Sequence, residues 1–144
     1  MNNKSWIIVE SLNNWKEDKK NNFKLIGINP KKIKQKKISN GDIFFTYISK
    51  IKKFSDCRRV ISVETHETPS NINYDKDFPN CIKTEIVKEL KEENWLELKL
   101  LLNSLEIFAL TKSPQLKLLN APTLINAYDS NQLLKLMKID SLNT

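Results

Sequence analysis

The stretch KKIKQKKISNGDIFFTYIS, residues 31–49, decides how the rest of the 144-residue chain is read. It opens with five lysines in seven residues: Lys31, Lys32, Lys34, Lys36 and Lys37. Asn40-Gly41-Asp42 then signals a turn. The run IFFTYI that follows has the aromatic and β-branched composition of a strand. A cationic arm feeding directly into a buried strand places charge beside a wall of the fold. That is the arrangement expected at the edge of a pocket for a ligand carried on a polyanion.

Upstream, residues 23–28 (FKLIGI) read as a short extended segment, ended by Pro30. Its Gly27 is one of only two glycines in the chain, and inside a strand a glycine marks a bulge or a close approach to the backbone. Trp6-Ile7-Ile8-Val9 reads as a buried first strand. Ser11 and Asn13 are residue types that favour helix N-caps. Residues 15–20 then form a short polar helix with Glu17 and Asp18 ahead of Lys19 and Lys20, the order the helix dipole favours. Trp15 is expected to fold back onto the first strand.

Downstream, residues 58–66 read as a strand that pairs with 43–48 across a loop carrying Lys50, Lys52, Lys53, Arg58 and Arg59, a second basic cluster. Residues 67–79, with Pro69, Asn71, Asn73, Asp75, Asp77 and Pro79, form a loop, and 82–90 a further strand. Trp95, Leu98, Leu101, Leu102, Leu105 and Phe108 recur at spacings of three and four, predicting an amphipathic helix entered near Asn94. Thr123-Leu124-Ile125 is a short strand. Asp129 is expected to cap a last helix with Gln132 as capping-box partner and Leu133, Leu136 and Met137 as its buried stripe, the tail after Lys138 fraying. Strands outnumber helices and are joined by loops rather than regular crossover helices. The expectation is one α+β domain spanning 1–144, with its core at about 5–138 and a curved or closed, mainly antiparallel sheet.

Composition narrows the function. The charge is +7, from 24 Lys+Arg against 17 Asp+Glu, which favours polyanionic partners. An abundance of lysine, asparagine and isoleucine explains how many lysines there are, but not why they bunch. The longest apolar stretch, residues 95–110, is interrupted by Glu97, Lys99, Asn103 and Glu106, and no run reaches the ~18 residues of a membrane span. The N-terminal apolar run is too short for a signal-peptide core, so a cytoplasmic protein is expected. Cys57 and Cys81 read as free thiols. With one histidine in the chain, a multi-histidine metal centre is excluded, and neither metal nor cofactor is expected. Gly27 and Gly41 lie too far apart to build a P-loop, and two glycines are too few for a dinucleotide-binding turn. His66 is the one base available to a catalytic triad, and it reads as a strand-end residue. Glu92 with Glu93, and Asp75 with Asp77, read as solvated loop acids.

The lysines can grip phosphates, each contact releasing counterions. Clusters at both ends of one strand suit an extended single strand of nucleic acid. Trp6, Trp15, Phe44, Phe45 and Tyr47 lie near enough in sequence to stack on bases. Most must serve the core. Phe45 and Tyr47 share one strand face and Phe44 the other; Tyr47 is the best candidate for the ligand, because its hydroxyl wants a polar partner.

The opening SWIIVESLNNW (5–15), the Ile26-Gly27-Ile28 segment and ISNGDIFFTYIS (38–49) resemble EVE domains. In that family an apolar strand leads to Asn-Trp, a Trp-Gly-Val segment follows, and an apolar-x-x-Gly-Asp turn precedes a strand ending in Tyr-x-Ser. The resemblance covers roughly residues 6–137, by motif over the first two-thirds and by element order over the last. It implies a PUA-like fold related to YTH domains: a curved, mainly antiparallel β-barrel with peripheral helices. It also implies a pocket for a flipped, modified nucleobase in DNA or RNA beside a basic surface. Carried over by residue, the nucleobase pocket is Glu10, Ser11, Asn14, Trp15, Ile26, Gly27, Tyr47 and Ser49. The phosphate-binding set is Lys31, Lys32, Lys34, Lys36, Lys37, Lys52, Lys53, Arg58 and Arg59. Two departures stand out: Ile26 occupies the family's tryptophan position, and Asn120-Ala121-Pro122-Thr123 replaces a late segment that often carries Gly and Arg. Either the ligand differs or the pocket has lost binding. Two competitors remain: a small-molecule or protein interaction module on the same fold, and a hydrolase or transferase using His66.

Overall fold

The computed structural model describes residues 3–75, 78–109 and 111–142; Asp77 and Leu110 of the readings above lie outside them. In chain order the elements are β1 (Ser5–Glu10), α1 (Leu12–Lys20), β2 (Leu25–Gly27), α2 (Pro30–Lys36), β3 (Ile43–Ile48), β4 (Lys53–Glu67) and β5 (Asn80–Glu89). Then come β6 (Leu96–Glu97), α3 (Leu98–Leu101), β7 (Thr123–Ile125) and α4 (Ala127–Leu136). The strands run β2-β5-β4-β3-β1-β7, with β6 paired to β4. The α+β reading holds, and the pairing is mainly antiparallel. The path stays open, however, and is not closed into the barrel that the resemblance implied. Parallel pairing of β1 with β3, Ser5 opposite Ile43 through Glu10 opposite Ile48, brings the ends of both strands to one edge of the molecule.

Alternation along the strands splits the apolar residues between two cores. Ile7, Phe45, Tyr47 and Phe54 face Trp15, Trp95, Leu98, Leu101, Leu133 and Met137. Trp6, Ile8, Phe44, Val60 and Ile82 face the other way and meet Ile26, Ile28, Ile33 and Ile38. The Asn40-Gly41-Asp42 turn is built for this junction. Gly41 has φ of +88°, and an added Cβ there would meet the Asn3 side chain. Asp42 is buried, and its carboxylate accepts from Lys4 N (3.0 Å), Ser39 N (3.0 Å) and Trp6 Nε1 (2.9 Å).

The lysine arm is a helix. Pro30 does not break the chain but starts α2 at its first position, where a missing N–H costs nothing; Asn29 caps it, Oδ1 accepting from Lys31 N at 2.9 Å. The amphipathic helix expected over 94–108 is replaced by β6, the four-residue α3 and a 3-10 turn at Glu106–Phe108. The spacing reported burial correctly, since Trp95, Leu98, Leu101, Leu105 and Phe108 are all buried. Two outside partners break the helix. Leu96 pairs with Phe54, and the Asp129 carboxylate takes the N–H groups of Glu106 (2.6 Å) and Ile107 (2.9 Å). Asp129 is therefore not the cap of α4. Asn126 is, accepting from Asp129 N at 2.8 Å. Leu136 is 43% exposed rather than part of the buried stripe, and beyond Lys138 both Ile139 and Leu142 pack on the core instead of fraying.

Replacing the buried Asp129 with alanine strips two part-buried N–H groups of their acceptor. Thermal unfolding should show a loss of about 1–3 kcal/mol, with Asp129→Asn recovering part of it.

Candidate nucleobase cavity and the buried Arg58 network

Where β1 ends, a cavity of about 500 Å³ opens, within the size range of ligand sites. Ile8, Val9 and Glu10 of β1, Asn14 of α1, Ile26 and Gly27 of β2, and Ile28 and Asn29 form one side. Lys32 of α2, Ser49, Tyr74 and Phe78 from the β4–β5 loop, and Leu118, Leu119, Ala121 and Pro122 complete it. Glycine at 27 is required by packing: an added Cβ would come within 2.8 Å of Phe78 Cβ and 2.9 Å of Tyr74 Cε2. The two rings stand edge to face, centroids 5.8 Å apart. Among the described residues they are the aromatic wall of this cavity, and sequence reasoning missed them. They sit in a segment read only as a proline- and asparagine-rich loop, and nothing local signals that it folds over β2.

Behind the cavity lies Arg58, fully buried. Its Nη2 donates to Glu10 Oε1 (2.9 Å), Nη1 to Asp18 Oδ2 (2.8 Å), and Nε to Asp56 Oδ1 (2.8 Å). The guanidinium also lies 4.9 Å from the centroid of Phe23. Asp56 further accepts from Trp15 Nε1 (2.8 Å), Thr46 Oγ1 (2.7 Å) and Ser55 Oγ (2.9 Å). The Tyr74 hydroxyl donates to Asp18 Oδ1 at 2.6 Å, so the network holds one of the cavity's rings in place. Burial, reinforced by Asp18 and that bond, pushes the Tyr74 phenol far above its ordinary range.

Of the eight expected base-site residues, the structure brings Glu10, Asn14, Ile26, Gly27 and Ser49 to this cavity. It does not bring Tyr47, which is buried in the core against Phe54, ring centroids 5.2 Å apart; burial raises its hydroxyl pKa. Nor does it bring Trp15, whose ring packs edge-on against Trp95 and whose N–H is spent on Asp56. Ser11 caps α1, accepting from Asn14 N at 3.1 Å and donating to Asp75 Oδ2 at 2.7 Å. Asp75 is thus tied to α1 rather than simply solvated, and its N–H donates to Asn14 Oδ1 at 2.6 Å.

The phosphate set scatters. Arg58 is corrected outright, because a guanidinium with three carboxyl partners and no exposure cannot meet phosphate. Arg59 pairs with Glu85 at 3.0 Å, donates to the Leu142 carbonyl and lines a different groove, one running past Lys4 and Ser130. Lys52 and Lys53 line a third hollow beside Glu97 and Lys99. Lys31, Lys34 and Lys37 are exposed on and just after α2. Lys32 and Lys36 reach the carbonyls of Ala121 (2.7 Å) and Asn120 (2.6 Å), clamping the cavity's far wall to α2. Burial and the neighbouring Lys32 hold Lys36 below its ordinary pKa. His66 is exposed on β4 opposite Cys81, and both cysteines are free and buried. Among the described residues no His/Cys/Asp/Glu group is arranged to hold a metal, and no helix is long and apolar enough to cross a membrane.

No family model and no curated protein matches the chain. Solved structures do. Rpa0253 from Rhodopseudomonas palustris is similar at 15% identity and TM-score 0.62, over 96% of this chain and 95% of that one. The YTH domain of Zygosaccharomyces rouxii MRB1, in complex with N6-methyladenosine RNA, is similar at 15% identity and TM-score 0.61, over 94% and 86%. The Pho92 YTH domain, in complex with m6A, is similar at 16% identity and TM-score 0.63, over 99% and 88%. At these identities the likeness establishes a shared YTH-like fold.

Arg58→Met leaves three buried carboxyls without their cation and should cost about 3–5 kcal/mol in urea unfolding. Arg59→Ala, at a partly exposed ion pair, should cost less than about 1 kcal/mol.

Proposed function

We propose that the chain is a non-catalytic nucleic-acid-binding module of the EVE and YTH type. It takes one unstacked base of a DNA or RNA strand, modified or not, into the cavity at the end of β1. The observation that carries the reading is the cavity itself. It has apolar sides from Ile8, Ile26 and Ile28, two rings at the loop, and polar groups at Glu10, Asn14 and Ser49, on the fold of YTH domains solved with N6-methyladenosine. Stacking on Tyr74 or Phe78 would replace the tryptophan absent at position 26, at about 1–3 kcal/mol per stacked base. Lys31 and Lys34, exposed on α2 next to the Lys32 rim, would meet the backbone phosphates.

A second reading has its own support. The cationic residues face three separate hollows, and two of the lysines on α2 are used internally. A small-molecule or peptide module using the same cavity would need no phosphate track.

Fluorescence anisotropy with single-stranded RNA and DNA at two salt concentrations separates them. Binding should weaken as salt rises, and Lys31→Glu with Lys34→Glu should cost roughly tenfold or more in affinity while flattening the salt slope by about two contacts. Gly27→Ala, checked for folding by thermal melt, should reduce binding by pushing Tyr74 and Phe78. A protein that binds no oligonucleotide at low salt would sink the nucleic-acid reading and leave the small-molecule one.

A further inference from the structure

We propose that the hollow between the β3–β4 turn and α3 is a docking site for an acidic segment of a partner protein, one that carries a large apolar side chain between carboxylates. This hollow shares no lining residue with the cavity at the end of β1, so the assignment does not depend on that cavity's ligand.

The hollow measures about 350 Å³, at the small end of the range for ligand sites. Ile51, Leu98, Leu102 and Pro114 give it apolar walls, and Lys52, Lys53 and Lys99 border it together with one acid, Glu97. Further aliphatic surface lies on the same segments. Ile51 in the turn is 37% exposed, Leu100 in α3 is 68% exposed, and Leu116 in the 3-10 turn at Pro114–Leu118 is 64% exposed. A scattered exposed leucine needs no explanation. Here three large aliphatic side chains sit on the three segments that meet at one hollow, which is how an interaction surface is marked.

The walls are fixed before anything binds. Lys52 N donates to the Ile48 carbonyl at 2.9 Å, the Lys52 carbonyl accepts from Leu98 N at 2.9 Å, and Lys53 pairs with Glu97 between β4 and β6. These bonds tie the turn to the start of α3. They hold Lys50 and Lys52 at φ of +68° and +61°, the left-handed region where a side chain is strained and glycine is not. The backbone at both positions suits glycine better than lysine, so what these residues bring to the surface is their charge.

Charge and shape choose the occupant. The Lys52 and Lys53 ammoniums have no partner among the described residues. Lys99 lies 3.8 Å from Glu97, with both side chains reaching water, a contact that contributes little. The rim is therefore open to carboxylates. A nucleic-acid strand fits it less well, because no aromatic ring lines the hollow to stack a base. A membrane would press on a convex face, whereas these apolar walls enclose a recess. An apolar side chain in the recess, with carboxylates on the lysine rim, reproduces the apolar centre and polar border of protein interfaces, and the opposite charges steer the encounter.

The probe is a library of random peptides displayed on phage, panned against the wild-type protein and against a triple variant, Ile51→Ser with Lys52→Gln and Lys53→Gln, first shown by thermal melt to fold. Peptides enriched on wild type and lost on the variant should carry a large apolar residue flanked by acids. In fluorescence anisotropy a synthetic peptide of that pattern should bind the variant roughly tenfold or more weakly, and wild type should lose as much when the acids become amides or the apolar residue becomes serine. Its affinity should fall as salt rises. Lys52→Gly removes the charge and relieves the backbone, so it should weaken the peptide without lowering the melting temperature. Ile51→Ser should leave binding of single-stranded RNA and DNA unchanged. Failure to enrich any peptide on wild type over the variant, enriched peptides without acids, or a peptide that binds variant and wild type alike overturns the assignment. So does displacement of the peptide by oligouridylate, or sedimentation with phosphatidylserine vesicles that the triple variant loses; these give the surface to nucleic acid or to lipid.

Discussion

A guanidinium with no access to water must be surrounded by acceptors, and Arg58 imposes that requirement on three elements at once. Glu10 ends β1, Asp18 lies in α1, and Asp56 sits two residues earlier on β4. The bonds hold α1 against the sheet at the point where β1 leaves it. Because Tyr74 also donates to Asp18, the long β4–β5 loop is drawn over the same edge. The cavity is what remains between the sheet, that loop and the chain entering β7. Its shape follows from satisfying a buried charge, and Glu10 is the one acid of the cluster among its lining residues.

The same economy governs the cationic residues. A lysine costs little to leave in water and is easily taken for a ligand contact. Lys32 and Lys36 instead cover the carbonyls of Ala121 and Asn120, in the segment where the chain departs from the EVE pattern. Side chains from α2 thus hold this part of the cavity wall. Lys31 and Lys34 stay exposed on α2.

Patterns with a period or a fixed turn chemistry were legible in the chain. Trp6 to Val9, the 43–48 strand, its pairing with 58–66, the 82–90 strand and Thr123 to Ile125 all appear where alternation and β-branched composition put them. The 94–108 segment shows the limit. Its spacing states which side chains are buried, but a continuous helix also needs its own N–H and C=O groups, and here Phe54 and Asp129 compete for them. The lysine arm failed for the opposite reason: repeated charge obscured an Asn29-Pro30 helix start.

The site divides in the same way. Glu10, Asn14, Ile26, Gly27 and Ser49 were reached through the resemblance to EVE domains, and of them only Gly27 carried a local signal, a glycine inside a strand. Tyr47 and Trp15 could not be separated from them, since a one-residue change of strand face, or a helix turning inward, sends an identical side chain to the core. Sequence alone determined the α+β class, most of the strands and the positive charge, because these depend on neighbours along the chain. Only the tertiary structure decided that Arg58 is an internal counterion, that Tyr74 and Phe78 wall the cavity, and that Glu10 joins the Arg58 cluster behind it. Those roles depend on which distant groups share a low-dielectric space, and no local pattern encodes that.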